Sequence, residues 1–132
     1  MTSRIERVAA HPLHRQLGIT EVRSADGHGA LAITVDEHSL NPAGMLHGGV
    51  LYLLCDVCAY VGLLSRLDDA TEAVTHDLHV SVMRPARRGD RLGLRSHVVR
   101  LGRRIAFVDV AACVADQPIA TARVTKTLLL SD

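Results

Sequence analysis

One stretch carries residues able to do chemistry together. Asn41-Pro-Ala-Gly-Met-Leu-His47-Gly48-Gly49 runs directly into the apolar segment Val50 to Leu64, and a single carboxylate, Asp56, sits inside that segment. Asn-Pro disfavours helix at residue 41, and the glycines keep the backbone open, so the first part reads as a loop. The second part is the one long apolar run, and its length favours a helix, placed here over 47–66. It is too short and isolated to span a membrane comfortably. A carboxylate in such a helix must be paired, hydrogen-bonded or turned to a cleft, because burying it alone is costly. The same pieces suit attack on a carbonyl. A helix N-terminus offers unpaired N–H groups to an oxygen that gains negative charge, and glycines let a ligand approach that backbone. A carboxylate in apolar surroundings suits the work of a general base.

The remaining chain must position these groups. Residues 1–17 mix charge with Ile5, Val8, Leu13 and Leu17 and read as a short helix, or two turns broken at Pro12. Gly18 to Ser24 and Gly29 to Val35 alternate as strands around the turn Ala25-Asp-Gly-His28, which gives a hairpin. After the helix the period changes to two. Strands are expected over Ala73–Met83, Arg91–Leu101, Ile105–Ala115 and Ile119–Leu130, read as a meander of four. In the third of these, Val108, Val110, Ala112 and Val114 share one face and Phe107, Asp109, Ala111 and Cys113 the other. Both faces are largely apolar, which puts this strand inside the sheet. The expected class is α+β: one domain, 1–132, with an antiparallel sheet curled around a single long helix.

Composition removes several function classes. Fifteen Lys+Arg against fourteen Asp+Glu leave a net charge of +1, so no global field draws nucleic acid. Aromatic residues are 2% with no Trp, too few for base stacking. The first residues lack the apolar segment of a signal peptide, and three cysteines without an export signal point to free thiols in a reducing cytoplasm. No G-x-S-x-G elbow, P-loop or dinucleotide fingerprint occurs.

Asn-x-x-Gly-x-x-His-Gly-Gly, with an Asp nine positions after the His on an apolar helix, resembles the hotdog-fold acyl-CoA thioesterases of the PaaI type. Val74-Thr75 through Pro85-x-x-x-Gly89, Gly102-Arg-Arg and Ile119 to Lys126 are also similar, so the likeness covers roughly residues 13–130. It implies a hotdog fold and hydrolysis of an acyl- or aryl-CoA thioester, with no metal or redox cofactor. Asp56 would be the general base or nucleophile, the Gly48 N–H and Asn41 would polarise and orient the carbonyl, and Thr75 would help to hold water. His47 and Gly49 would shape the substrate loop. A non-catalytic acyl-CoA-binding module, or a hotdog hydratase or dehydratase, are the alternatives on the same fold.

Helix geometry adds an expectation of its own. Nine positions turn Asp56 to roughly the opposite side of the helix from His47, about 13 Å along. The two ends of the motif are badly placed to meet within one chain. In a two-fold dimer, Asp56 of one subunit can meet Gly48 of the other, and the resemblance implies a homodimer or a homotetramer.

Other features have plainer readings. Cys55 and Cys58 form C-x-x-C but lie inside the apolar helix, where core packing explains them, and Cys113 is expected in the core too. His76 and His79, or His11 and His14, lack a third partner for a metal. Arg84, Arg87, Arg88 and Arg91 cluster at a turn, either as a solvated surface or as contacts to the phosphates of coenzyme A.

Overall fold

The computed structural model describes residues 2–130. The elements run α1 (Arg4–Ala10), α2 (Pro12–Gln16), β1 (Thr20–Ala25), β2 (His28–Thr34), α3 (Gly48–Leu64), β3 (Thr71–Val82), β4 (Arg91–Leu101), β5 (Ile105–Val114) and β6 (Gln117–Leu130). Pro12 splits the N-terminal segment into two helices, as its position at the first turn of α2 allows. The central helix is slightly shorter than 47–66, because His47 is its N-cap and Ser65 its C-cap.

All six strands join one sheet in the order β1-β2-β4-β5-β6-β3, each pair antiparallel. This corrects the expected meander of four. Only β4, β5 and β6 follow one another; β3 lies at the far edge beside β6, and β4 pairs with β2 instead. The reason lies in the connections. Helix α3 carries the chain from β2 to the far edge, and the β3–β4 segment returns along the loop before α3. Its stitches are Leu46 N–H to the Ala86 carbonyl (2.8 Å), Gly89 N–H to Val35 (2.8 Å) and Val35 N–H to Asp90 (2.9 Å). Strand β5 lies inside the sheet, as its two apolar faces require.

The concave face of the sheet and α3 make the core. Leu31, Ile33, Leu92, Leu94, Val108, Val110 and Val124 pack against Leu51, Leu54, Cys55, Cys58 and Leu63. Val114 is only half-buried, and Cys113, on the outward face of β5, is half-buried as well rather than a core residue.

Helix and sheet approach closely where Gly29 and Gly62 face each other. A Cβ on Gly29 would lie 2.5 Å from the Gly62 backbone nitrogen and 2.9 Å from the Cys58 carbonyl oxygen. Gly29→Ala therefore forces α3 off the sheet and is expected to cost about 1–3 kcal/mol. Gly93→Ala on the outward face meets nothing nearer than an Arg91 guanidinium nitrogen at 3.7 Å and is the control. Urea midpoints separate the two: equal midpoints would show that the contact is not limiting.

Candidate functional site

The loop before α3 is folded upon itself by Asn41. Its side-chain oxygen accepts from the N–H groups of Ala43 (2.9 Å) and Met45 (3.0 Å), and its own N–H reaches the Met45 carbonyl (2.7 Å). That leaves the carboxamide NH₂ as the free end. Gly44 closes the turn with φ +81°. His47 donates its backbone N–H to the buried Ser39 carbonyl (2.8 Å), and its Nδ1 accepts from Gly49 N–H (2.9 Å). Through that bond the His47 side chain caps the start of α3. Gly49 thus has its N–H engaged. The Gly48 N–H has no intrachain partner among the described residues and opens at the start of α3.

Asp56 lies further along the helix and meets another set of residues. Its Oδ1 accepts from the Thr75 hydroxyl (2.6 Å) and from the Lys126 ammonium (2.9 Å), and the ammonium also donates to Thr75 Oγ1 (2.9 Å). The Asp56 side chain is 33% exposed, whereas that of Lys126 is 4% exposed. The carboxylate is therefore not a lone charge among apolar groups; it is half of an ion pair with a buried lysine. Oδ2 has no partner among the described residues.

Strand register explains how the three meet. Thr75 stands directly opposite Lys126, and the pairing slips by one residue between Thr75 and Asp77, which leaves His76 as a bulge. Before the slip, Thr71 and Ala73 are the buried positions of β3; after it, Leu78 and Val80 take over. The bulge thus places Thr75 at the point where the strand changes face. The sequence assigns Lys126 no role of its own in the site, yet it carries a signal. Ala120, Ala122 and Val124 alternate on the buried face of β6, and the next inward position is a lysine.

A cavity of about 460 Å³ opens beside this cluster. Asp56, Thr75 and Lys126 share it with Val57, Tyr60 and Val74, and α1 and α2 close it with Val8, His11 and His14. Arg4 fastens that wall: it donates to the Asp68 (2.5 Å) and Thr71 (2.7 Å) carbonyls and pairs with Glu72 at 3.5 Å.

The structure thus brings Asp56 and Thr75 together and leaves Asn41, His47, Gly48 and Gly49 as a second group at the start of α3. Arg84, Arg87 and Arg88 are exposed on the β3–β4 connection, next to that second group through the Met45–Arg87 bridge. Arg84 donates to Gln117 (2.7 Å), and Arg91 is committed to Glu21. Among the described residues, no group of three or more His, Cys, Asp or Glu is placed to hold a metal, and no helix is long and apolar enough to cross a membrane.

Burial raises the thiols of Cys55 and Cys58 to about 12, which leaves both protonated and inert near neutral pH. A thiol reagent at pH 8 is expected to modify Cys113 alone in the native protein and all three cysteines after unfolding. Fast labelling of Cys55 or Cys58 in the native state would contradict this packing.

Residues 43–126 match the family model described as "Thioesterase superfamily". Acyl-coenzyme A thioesterase 13 of Homo sapiens is 33% identical over 122 residues, covering 90% of this chain and 86% of that one. Among solved structures, a point mutant of the phenylacetic acid degradation protein PaaI from Thermus thermophilus superposes with a TM-score of 0.80 at 28% identity, over 88% of this chain and 97% of that one. A hypothetical thioesterase of Streptococcus pneumoniae, solved with coenzyme A, gives 0.78 at 25% identity over 84% and 86%. A helix wrapped by an antiparallel sheet, a family match that spans His47 to Lys126 and these likenesses lead to one assignment: the chain belongs to the thioesterase superfamily, as a hotdog-fold thioester hydrolase of the PaaI type.

Proposed function

We propose that this protein hydrolyses acyl- or aryl-CoA thioesters to the free acid and coenzyme A. One observation carries the reading: Asp56 is held at the cavity by Thr75 and Lys126 with one oxygen unengaged, while the Gly48 N–H stands unspent at the start of the same helix. Water attacks the thioester carbon as Asp56 takes its proton. The oxygen that becomes negative is held by the Gly48 N–H at the positive end of the helix dipole, and the Asn41 NH₂ assists. Collapse of the tetrahedral intermediate expels the coenzyme A sulfur, which receives the proton. No metal or redox cofactor takes part in these steps. The apolar wall of Val8, Val57, Tyr60 and Val74 suits an acyl chain or a ring.

Both groups must act on one carbonyl, and in a single chain they lie about 12 Å apart along α3. A two-fold pair of subunits removes the conflict by setting Asp56 of one against Gly48 of the other. An uncovered edge supports this pairing. Strand β3 has one neighbour among the described strands, β6; Val74 and Val82 on it and Met83 just after it are 44%, 50% and 54% exposed, and Tyr52 of α3 is 43% exposed. His47 and Gly49 shape the loop in this reading, and Arg84, Arg87 and Arg88, on the segment bridged to that loop, suit the phosphates of coenzyme A. The buried, protonated thiols are compatible with a reducing cytoplasm.

The test is thiol release from a panel of short, medium, long and aryl acyl-CoAs. Turnover of at least one class is the expected result and names the acyl group. Binding of acyl-CoA without thiol release would replace the hydrolase with a binding module. Addition of water to an enoyl thioester would replace it with a hydratase.

A further inference from the structure

We propose that Lys126 is a positioning residue for the hydrolysis: its ammonium fixes the order of donors and acceptors so that Asp56 and Thr75 both face the water as acceptors. The inference rests on the thioesterase reading above. Lys126 is 3% exposed and is the one charged residue among the buried described residues. Burying an ammonium is costly even when it is paired, and an apolar residue of that size would fill the same space at no electrostatic cost. A functional reason for keeping it follows from hydrogen-bond direction.

An ammonium only donates, and a hydroxyl has one proton to give and two lone pairs. Lys126 Nζ lies 2.9 Å from Thr75 Oγ1, so Thr75 must accept there. The single Thr75 proton then goes to Asp56 Oδ1 at 2.6 Å, which also receives Lys126 at 2.9 Å. The directions are forced around the whole ring of three. Two acceptor sites remain unspent: the second Thr75 lone pair and Asp56 Oδ2. A water between them must point its protons at the protein, and its lone pair is left for the thioester carbon. Such an arrangement serves Asp56 as a general base, with no covalent bond to the acyl group. Without the ammonium the Thr75 hydroxyl is free to turn, donate to the water and hold it the wrong way round. The carboxylate also loses one of the two donors that fix its rotation.

The stem of Lys126 passes beside Tyr60, its nitrogen 5.8 Å from the ring centre. Lys126→Met keeps an unbranched chain there and removes only the charge and the donors. The expected result is a kcat lowered roughly 10- to 100-fold with KM little changed, because the loss is one of orientation. A residue that acts through others has a further signature. In an Asp56→Asn background, Lys126→Met should lower kcat by less than about twofold, whereas an unrelated packing defect would multiply the two losses. Lys126→Arg, which keeps a cationic donor, should retain more activity than Lys126→Met and serves as the test if the Met variant fails to fold. A Lys126→Met enzyme with wild-type kcat, an undiminished loss in the Asp56→Asn background, or equal losses for Arg and Met would each overturn the proposal. Absence of turnover in the wild type is a separate outcome, since it removes the thioesterase reading itself.

Discussion

Asp56→Asn is expected to lower kcat by about 10²–10⁴-fold, the usual worth of a positioned base, while acyl-CoA still binds. Asparagine is the informative replacement. Its carboxamide oxygen can still accept from Thr75 and Lys126 as Oδ1 does, so the ring of contacts stays occupied. The NH₂ then stands where Oδ2 was, and an acceptor for the water's proton becomes a donor. Asp56→Ala removes the base too, but it also strips the buried Lys126 of its carboxylate, and an unpaired buried charge costs several kcal/mol. A melting curve for each variant distinguishes these effects. Both should lose turnover and some stability, since neither keeps the charge that pairs with Lys126, and Ala, which also removes the hydrogen-bond acceptor, should lose more. Single-turnover thiol release on the acyl-CoA that the wild type prefers is the direct measurement. Retention of more than about a tenth of wild-type kcat in Asp56→Asn would remove Asp56 from the chemistry.

What the sequence made legible follows from where each signal resides. The helix could be read because apolar residues run unbroken from Val50 to Leu54 and flank Asp56 closely, and a lone carboxylate stands out against them. The strands could be read because period two is local. Their neighbours could not, since strand order depends on where connections travel, and the β3–β4 segment uses its hydrogen bonds on residues 35 and 46. A Pro and a Gly in that segment look like hairpin chemistry, although its ends join strands on opposite sides of β5 and β6. Asp56 and Thr75 emerged from the motif. Lys126 did not, because its partner is 70 positions away and charged residues near a strand end are usually solvated. The bulge at His76 was hidden too, for a one-residue slip leaves the apolar pattern readable on either side. His47 is the opposite case. Its motif marks it as a residue that shapes the loop, and the bond from Gly49 N–H to its ring shows the means: it caps the helix.

The separation of Asp56 from Gly48 leads to the second large effect. Gly48→Pro is expected to lower kcat about 10²–10³-fold, as does loss of one oxyanion donor elsewhere, without unfolding α3. Gly48 is the first helical residue, where proline is favoured and the lost N–H has no helical partner in any case. The preceding His47 already has φ −65° and ψ 128°, the extended region that a following proline demands. A Cβ at 48 meets only the Tyr52 ring and hydroxyl, at 3.9–4.0 Å. The substitution therefore removes one N–H and little else. Mixing subunits then decides where the active site lies. In a heterodimer of Asp56→Asn with Gly48→Pro chains, a site shared between subunits is rebuilt once: one subunit supplies its native Asp56 and the other its native Gly48. The second site of the pair carries both defects. Such heterodimers should show about half the wild-type kcat per dimer, although each parent is nearly inactive. If each site were contained within one chain, every site in the mixture would carry a defect and no activity would return.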